Sequence, residues 1–340
     1  MKIGLKKLEI HFDKKSCLKE IKNRDIYIGC KETKEKVEEA IKKLNYTPNF
    51  MASSLQRTKS NMILIIVPEI SNPYYSAILE GVEVTAKGMG YNIILGSSYS
   101  SEAQLLDYLN LLNTKLVDGI ILMEKIEKEK IMEKIKDENV FKKIVQCSEY
   151  IEENGLTYIT IDHKKAAYEA VSHLISIGKK DIYLFSMKKD YTYSTLRREG
   201  LIEAMKDNGL EFKRENEILL DELSIKEAQK HMNIILNNRE VKNIGIFAVS
   251  DVIAIGVIKA LNSKNIKIPQ EAAIVGFDNI DFSAVIEPSL TTVSQPGYEL
   301  GVESVKSLMR KITGENNNPE KIILDYELIV RETTNKFVLK

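Results

Sequence analysis

Six apolar residues run without a break from Met62 to Val67 and stop at Pro68. A strand with one wet face alternates polar and apolar side chains. A run with no alternation describes a parallel strand covered on both faces by helices. This stretch commits the remainder of the chain to an α/β fold.

The downstream pattern repeats the theme. Helical spacing over Tyr74–Met89 is followed by a strand at Asn92–Leu95, a helix at Glu102–Lys115 and a strand at Gly119–Met123. A charged helix over Lys125–Glu138 leads to strands at Lys143–Cys147 and Tyr158–Ile161. The alternation then restarts with helices at Lys165–Ile177, Leu196–Asn208, Ile225–Asn237 and Val252–Asn262. Strands at Ile182–Phe185, Glu217–Leu220, Ile244–Ala248 and Ala272–Val275 are interleaved with them. Two such blocks mean two doubly wound, Rossmann-like subdomains. The tail has short strands near Thr291–Val293, Lys321–Leu324 and Glu327–Val330, with one helix, Glu299–Ile312. That is too little for a third domain, so the tail crosses back between the two.

Upstream, residues 1–46 read as short helices with narrow apolar stripes, such as Val37, Ile41 and Leu44. The clearest is Glu32–Asn45, where acidic residues lead and Lys42–Lys43 close, complementing the helix dipole. Pro48 stops it and opens a helix of barely two turns, too short to hold in water alone.

Charge separates the two ends. Residues 1–60 hold 15 Lys and Arg against 8 Asp and Glu, a net of +7. The whole 340-residue chain is neutral, so residues 61–340 carry −7. A basic end suits a polyanion. The three cysteines, Cys17, Cys30 and Cys147, share no CxxC spacing and suit a reducing cytoplasm. No apolar run approaches the ~20 residues that span a membrane, so the expected location is cytoplasmic.

No catalytic constellation stands out. His11, His163, His173 and His231 have no metal-ligand spacing, and no G-x-G-x-x-G, Walker A or G-x-S-x-G sequence occurs. The chain reads as a binding protein without cofactor or metal, not an enzyme. In open α/β sheets ligands bind beyond the carboxyl ends of strands. The residues at such positions are Ser71–Tyr75, Ser97–Ser98, Asp162, Arg197 (opening a helix), Ser250 with Asp251, and Asp278. Asp251, just before a helix, reads as an N-cap. Together the others could grip a small polar molecule in a cleft.

Ordered motifs then give a resemblance. They are Thr33-Lys34-Glu35-Lys36-Val37, Asn45-Tyr46-Thr47-Pro48-Asn49, Ala52-Ser53-Ser54-Leu55 and Val67-Pro68-Glu69-Ile70-Ser71-Asn72-Pro73. Further on come Val117-Asp118-Gly119-Ile120-Ile121, Gly276-Phe277-Asp278-Asn279, Leu290-Thr291-Thr292-Val293, Gln295-Pro296 and Val330-Arg331-Glu332-Thr333. From residue 29 to about 334 the chain resembles the lactose-repressor/galactose-repressor (LacI/GalR) family of bacterial transcription regulators.

The resemblance implies a helix-turn-helix DNA-binding head at 1–47, a hinge helix at 48–61 and a core at 62–340 like type I periplasmic binding proteins. The core divides into an N-subdomain (62–161 plus 294–324) and a C-subdomain (162–293 plus 325–340). It implies a homodimer gripping a double-stranded DNA operator, with a small-molecule effector, a sugar or related metabolite, in the cleft. The residues carried over for DNA are Lys14, Lys15, Ser16, Lys19, Asn49, Ser53, Leu55 and Arg57. Leu55 matches the leucine that wedges into the minor groove, where unstacking costs a few kcal/mol and is recovered through the bend. For the effector they are Tyr74, Tyr75, Ser98, Asp162, Arg197, Ser250 and Asp278. Leu223 stands where many sugar-binding members carry an aromatic residue.

The head departs from the family. Its turn, Ile10-His11-Phe12-Asp13, has no glycine, and Glu20 in the recognition segment Lys14–Ile21 replaces the usual arginine. Three readings stay open on sequence. One is an effector-controlled repressor with an unusual operator. Another is a head that no longer reads DNA. The third is a catabolite-control regulator whose partner, a phosphorylated carrier protein, faces Tyr298 and Lys306.

Overall fold

A computed structural model describes residues 59–335, together with Glu39 and Lys43. Glu39 and Lys43 are helical, one turn apart and 3.9 Å from each other, inside the helix expected over Glu32–Asn45. Lys14, Lys15, Ser16, Lys19, Asn49, Ser53, Leu55 and Arg57 lie outside the described residues, as does the rest of the expected head.

Residues 59–335 build two lobes, each on a six-stranded sheet. The first sheet uses β1 (Met62–Val67), β2 (Asn92–Ser97), β3 (Gly119–Leu122), β4 (Ile144–Cys147) and β5 (Thr157–Ile161). The second uses β6 (Asp181–Met187), β7 (Glu217–Leu220), β8 (Ile244–Ala248), β9 (Ala272–Asp278) and β10 (Thr291–Ser294). β11 (Lys321–Leu324) then joins the first sheet and β12 (Glu327–Ile329) the second. The orders are β2-β1-β3-β4-β5-β11 and β7-β6-β8-β9-β10-β12. Every pairing is parallel except β12 on β10.

β1 lies between β2 and β3, and five of its six side chains are fully buried. Burying each such side chain stabilises by about 1.5–3 kcal/mol. One face of the sheet is covered by α1 (Tyr74–Gly88) and the other by α2 (Glu102–Asn113). The expected single helix over Lys125–Glu138 is instead two short ones, α3 (Lys128–Lys134) and α4 (Glu138–Phe141). The chain turns extended at Ile135, which puts Ile135 and Phe141 into the core; a straight helix could not bury both.

The second lobe carries α5 (His163–Ser176), α6 (Thr192–Asp207), α7 (Ile225–Asn238), α8 (Asp251–Ser263) and α9 (Asp281–Val285). α5 and α6 approach closely at Gly200, where an added Cβ would stand 2.1 Å from the Lys164 carbonyl oxygen. The last helix, α10 (Gly297–Thr313), returns to the first lobe and buries Leu300, Val305 and Leu308. The chain therefore crosses between lobes three times, after β5, β10 and β11.

At its upstream end the first lobe is tied by Asp118. Its two carboxylate oxygens accept from the backbone N–H groups of Ser60 and Asn61, both at 2.8 Å. Among the described residues no helix is long and apolar enough to cross a membrane.

Candidate ligand-binding cleft

In both sheets the strand order reverses beside the first strand, at β1/β3 and at β6/β8. Crevices form at the carboxyl ends of strands at such reversals. The two crevices face each other across one cavity of about 410 Å³. Of the seven expected effector residues, Tyr74, Tyr75, Arg197, Ser250 and Asp278 line it.

Two do not. Ser98 lies beyond a β2 that runs to Ser97, longer than expected, and is fully buried. Its hydroxyl bonds the Glu124 carboxylate, and its neighbour Ser100 lines the cavity instead. Asp162 is exposed and caps α5, accepting from the Lys165 N–H at 2.9 Å. The next residue, His163, reaches the floor of the site.

Two local expectations are also corrected. Asp251 is not the N-cap of α8; Ser250 is, accepting from the Val252 N–H at 3.3 Å. Asp251 is buried and accepts from the Thr292 hydroxyl at 2.6 Å and the Ile280 N–H at 3.0 Å. Arg197 does not open a helix but sits in the second turn of α6. The helix begins at Thr192 because a carboxylate from the other lobe caps it. Glu149 accepts from the Thr192 N–H at 2.6 Å and the Tyr193 N–H at 3.4 Å.

Arg197 is 3 % exposed. Its guanidinium stacks 3.4 Å from the Phe277 ring centre and 4.9 Å from that of Tyr193. One terminal nitrogen donates to the Val249 carbonyl. Nε and the other terminal nitrogen approach His163 Nδ1 at 3.4 and 3.2 Å. Arginine can only donate, so Nδ1 accepts and the proton sits on Nε2. Nε2 then donates to the Thr160 hydroxyl at 3.1 Å, and Thr160 donates to the Ser148 carbonyl at 3.2 Å. Burial, with the Arg197 charge beside it, holds His163 well below its usual range and keeps it neutral.

A second path returns across the cleft. The Ser148 and Tyr74 hydroxyls lie 2.7 Å apart, and Tyr74 donates to Gln295 Oε1 at 3.2 Å. Gln295 donates to Asp278 Oδ1 at 2.8 Å, and that oxygen is 3.8 Å from Arg197. The two paths form a polar ring drawn from both lobes and passing two of the three crossovers. Burial pushes the Asp278 carboxyl up to about 6, although Arg197, Ser250 and Gln295 oppose the rise. Asp278 and Asn279 both have positive φ, 117° and 55°. Such backbone costs about 1–3 kcal/mol and gathers at binding sites. Asn279 is held there by Arg331, which donates to its side-chain oxygen at 2.7 Å.

Sequence reasoning missed His163, Ser148, Glu149, Tyr191 and Tyr193. Ser148 and Glu149 were within reach, since they come just after an expected strand and obey the rule that found Ser250. Tyr191 and Tyr193 flank a helix start that depends on the distant Glu149. The site presents shape, stacking surface and hydrogen bonds, and among the described residues no three or more His, Cys, Asp or Glu gather to hold a metal.

Residues 60–332 match the family described as periplasmic binding proteins and sugar binding domain of LacI family. The chain belongs to the LacI family of transcription regulators. It is 33 % identical over 312 residues to the HTH-type transcriptional regulator RegA of Clostridium saccharobutylicum, covering 91 % of this chain and 92 % of RegA. It is 30 % identical over 309 residues to the transcriptional repressor CytR of Escherichia coli, covering 89 % and 87 %. A LacI-family regulator from Enterococcus faecium, solved with bound ribose, superposes with a TM-score of 0.70 at 26 % identity, covering 80 % of this chain and 98 % of that one. Relatives with HTH-type names make DNA binding part of the family's function, and the ribose complex shows that a LacI-family neighbour takes a small ligand.

Proposed function

We propose that this chain is a homodimeric repressor of the cytoplasm whose grip on a DNA operator is set by a small effector in the cleft. The observation that carries this reading is the polar ring. Tyr74 and Ser148 come from the first lobe, Arg197 and Asp278 from the second, and Gln295 from a crossover. A ligand bonding to ring members gains differently in open and closed arrangements, and only such a difference can shift a population. The residues offered for contact are Tyr74, Tyr75, Arg197, Ser250 and Asp278. Lys14, Lys15, Ser16, Lys19, Asn49, Ser53, Leu55 and Arg57 are offered for DNA.

An apolar face spanning both lobes is offered as the dimer contact. Phe282 is 57 % exposed there, and Ile225, Ile255 and Ile286 line a groove with Pro73 of the first lobe. A second copy seated across both lobes would feel their relative movement. Domain limits are those expected from the sequence, with the head at 1–47 and the hinge at 48–61.

The test has two parts. A thermal-shift screen of small metabolites should find a ligand whose shift is lost in Ser250→Ala. Footprinting on the promoter of its own gene at low salt should show a protected palindrome that the ligand alters. Absence of any protected palindrome would overturn the operator reading. A clean footprint with a monomeric mass in solution would overturn the dimer.

A further inference from the structure

The charges around the cleft do not suit an anion. Among the described residues lining it, Arg197 is the one cation, set against five carboxylates: Glu69, Glu149, Asp221, Glu222 and Asp278. Arg197 is engaged already, by Val249, His163, two ring faces and Asp278. Little of its charge remains to meet a phosphate or carboxylate.

Three of the five carboxylates have their own balance. Asp278 faces Arg197. Glu149 sits on the first N–H groups of the 16-residue helix α6, whose N-terminal end is electropositive. Asp221 pairs with Lys188 at 3.0 Å. Glu69 and Glu222 have no cationic partner among the described residues. Glu69 comes after β1 of the first lobe and Glu222 after β7 of the second, so each lobe brings one. Both line the same cavity; burial raises the Glu69 carboxyl, and the charge of Glu222 adds to the rise. Among the described residues the Ser71 hydroxyl is the one group donating to Glu69, at a long 3.5 Å.

We infer that the effector bears a positive charge and no negative one, an aminated polyol in size and chemistry, with its ammonium between Glu69 and Glu222. Seated there it draws the lobes together, since the two carboxylates that repel across the mouth then share one counter-charge. Tyr75, also on the wall, offers a ring that attracts a cation within about 6 Å, whereas the faces of Tyr191 and Tyr193 are taken by each other, Lys189 and Arg197. A phosphorylated or acidic analogue meets two unbalanced carboxylates and, among the described residues lining the cavity, no free cation.

This inference rests on the reading of the cleft as the effector site, and the experiment separates the two. Calorimetry on the full chain compares charge-matched sets on one ring: glucosamine, glucose and glucose 6-phosphate, then the galactose and mannose equivalents. In any set that binds, the amine should be tightest, by about tenfold over the neutral sugar, and the phosphate weakest. Raising salt should erode the amine's advantage. In Glu69→Gln/Glu222→Gln the amine should fall to within about twofold of the neutral sugar, whose own affinity holds. A phosphate that binds tightest, or an amine advantage that survives the double variant, would overturn the charge inference and leave the cleft reading intact. No binding in any set would overturn both.

Discussion

The Glu149 carboxylate of the first lobe accepts a 2.6 Å hydrogen bond from the backbone N–H of Thr192, the first residue of a helix in the second lobe. The Thr192 hydroxyl answers with a 2.7 Å bond to the Tyr150 carbonyl. A cap taken from another lobe fastens the lobes to each other as well as the helix end. Removing a cap costs about 0.5–2 kcal/mol. Glu149→Ala should therefore lose about that much stability, while Glu149→Gln, which keeps an accepting oxygen, should lose less. Urea unfolding measures both. An alanine variant as stable as the wild type would show the cap to be idle.

The Asp278 carboxyl titrates near 6 in the folded protein, raised by burial from an ordinary value of 3.8. A raised carboxyl favours folding most when protonated. Its contribution is fully present below about 3.8 and is lost as pH climbs through about 6. Across that window the wild type should lose stability, on the order of 1–3 kcal/mol. Asp278→Asn should flatten the slope between pH 4 and 7. Asp251, buried nearby and raised as well by burial and by Asp278, leaves a residual slope of the same sign. An unchanged slope in the asparagine variant would assign the titration elsewhere.

Gly200→Ala tests the closest helix contact. The new methyl would meet the Lys164 carbonyl at 2.1 Å, and backbone cannot swing aside as a side chain can. Overpacking of this kind costs about 1–3 kcal/mol. The denaturation midpoint should fall accordingly, and effector affinity should fall with it because α6 carries Arg197. A silent substitution would mean that α5 and α6 can separate freely.

Asp118 holds the backbone of Ser60 and Asn61, where the core meets the expected hinge. Asp118→Ala removes two charge-assisted bonds, each worth about 1.5–3 kcal/mol. The expected outcome is effector affinity within about twofold of wild type, with the effector's influence on DNA binding reduced. Equal losses in both would place Asp118 in general stability only.

Leu55→Ala should weaken specific operator binding more than binding to random DNA, because a wedge between base steps acts through the bend it induces. Gel shifts against both DNAs at matched salt decide it, and equal losses would remove the wedge.

The sequence was most informative where burial alone dictates structure. The unbroken Met62–Val67 run marks β1, and its central place between β2 and β3 agrees with the same lack of a wet face. Glu217–Leu220 and Ile244–Ala248 are strands over those same residues in the structure. Reasoning failed where partners come from far along the chain. Asp162 stands just after a strand, yet cap chemistry claims it and turns His163 inward. The start of α6 lies several residues upstream of its expected place because its cap, Glu149, is more than forty positions away. Asp278 was expected beyond its strand, whereas pairing with β10 carries β9 through to it.

The three crossings carry a consequence for synthesis. The first lobe has most of its sheet once residue 161 has emerged, but its covering helix α10 and its edge strand β11 come only after the whole second sheet apart from β12. Until residues 297–324 leave the ribosome, the part of that sheet's face formed by β3, β4 and β5, beside α1, lacks the cover of Leu300, Val305 and Leu308. The second lobe gains its last strand later still. The newborn chain must therefore carry an open apolar surface through most of its translation, and its yield in the cell should depend on holding chaperones more than the stability of the finished fold would suggest.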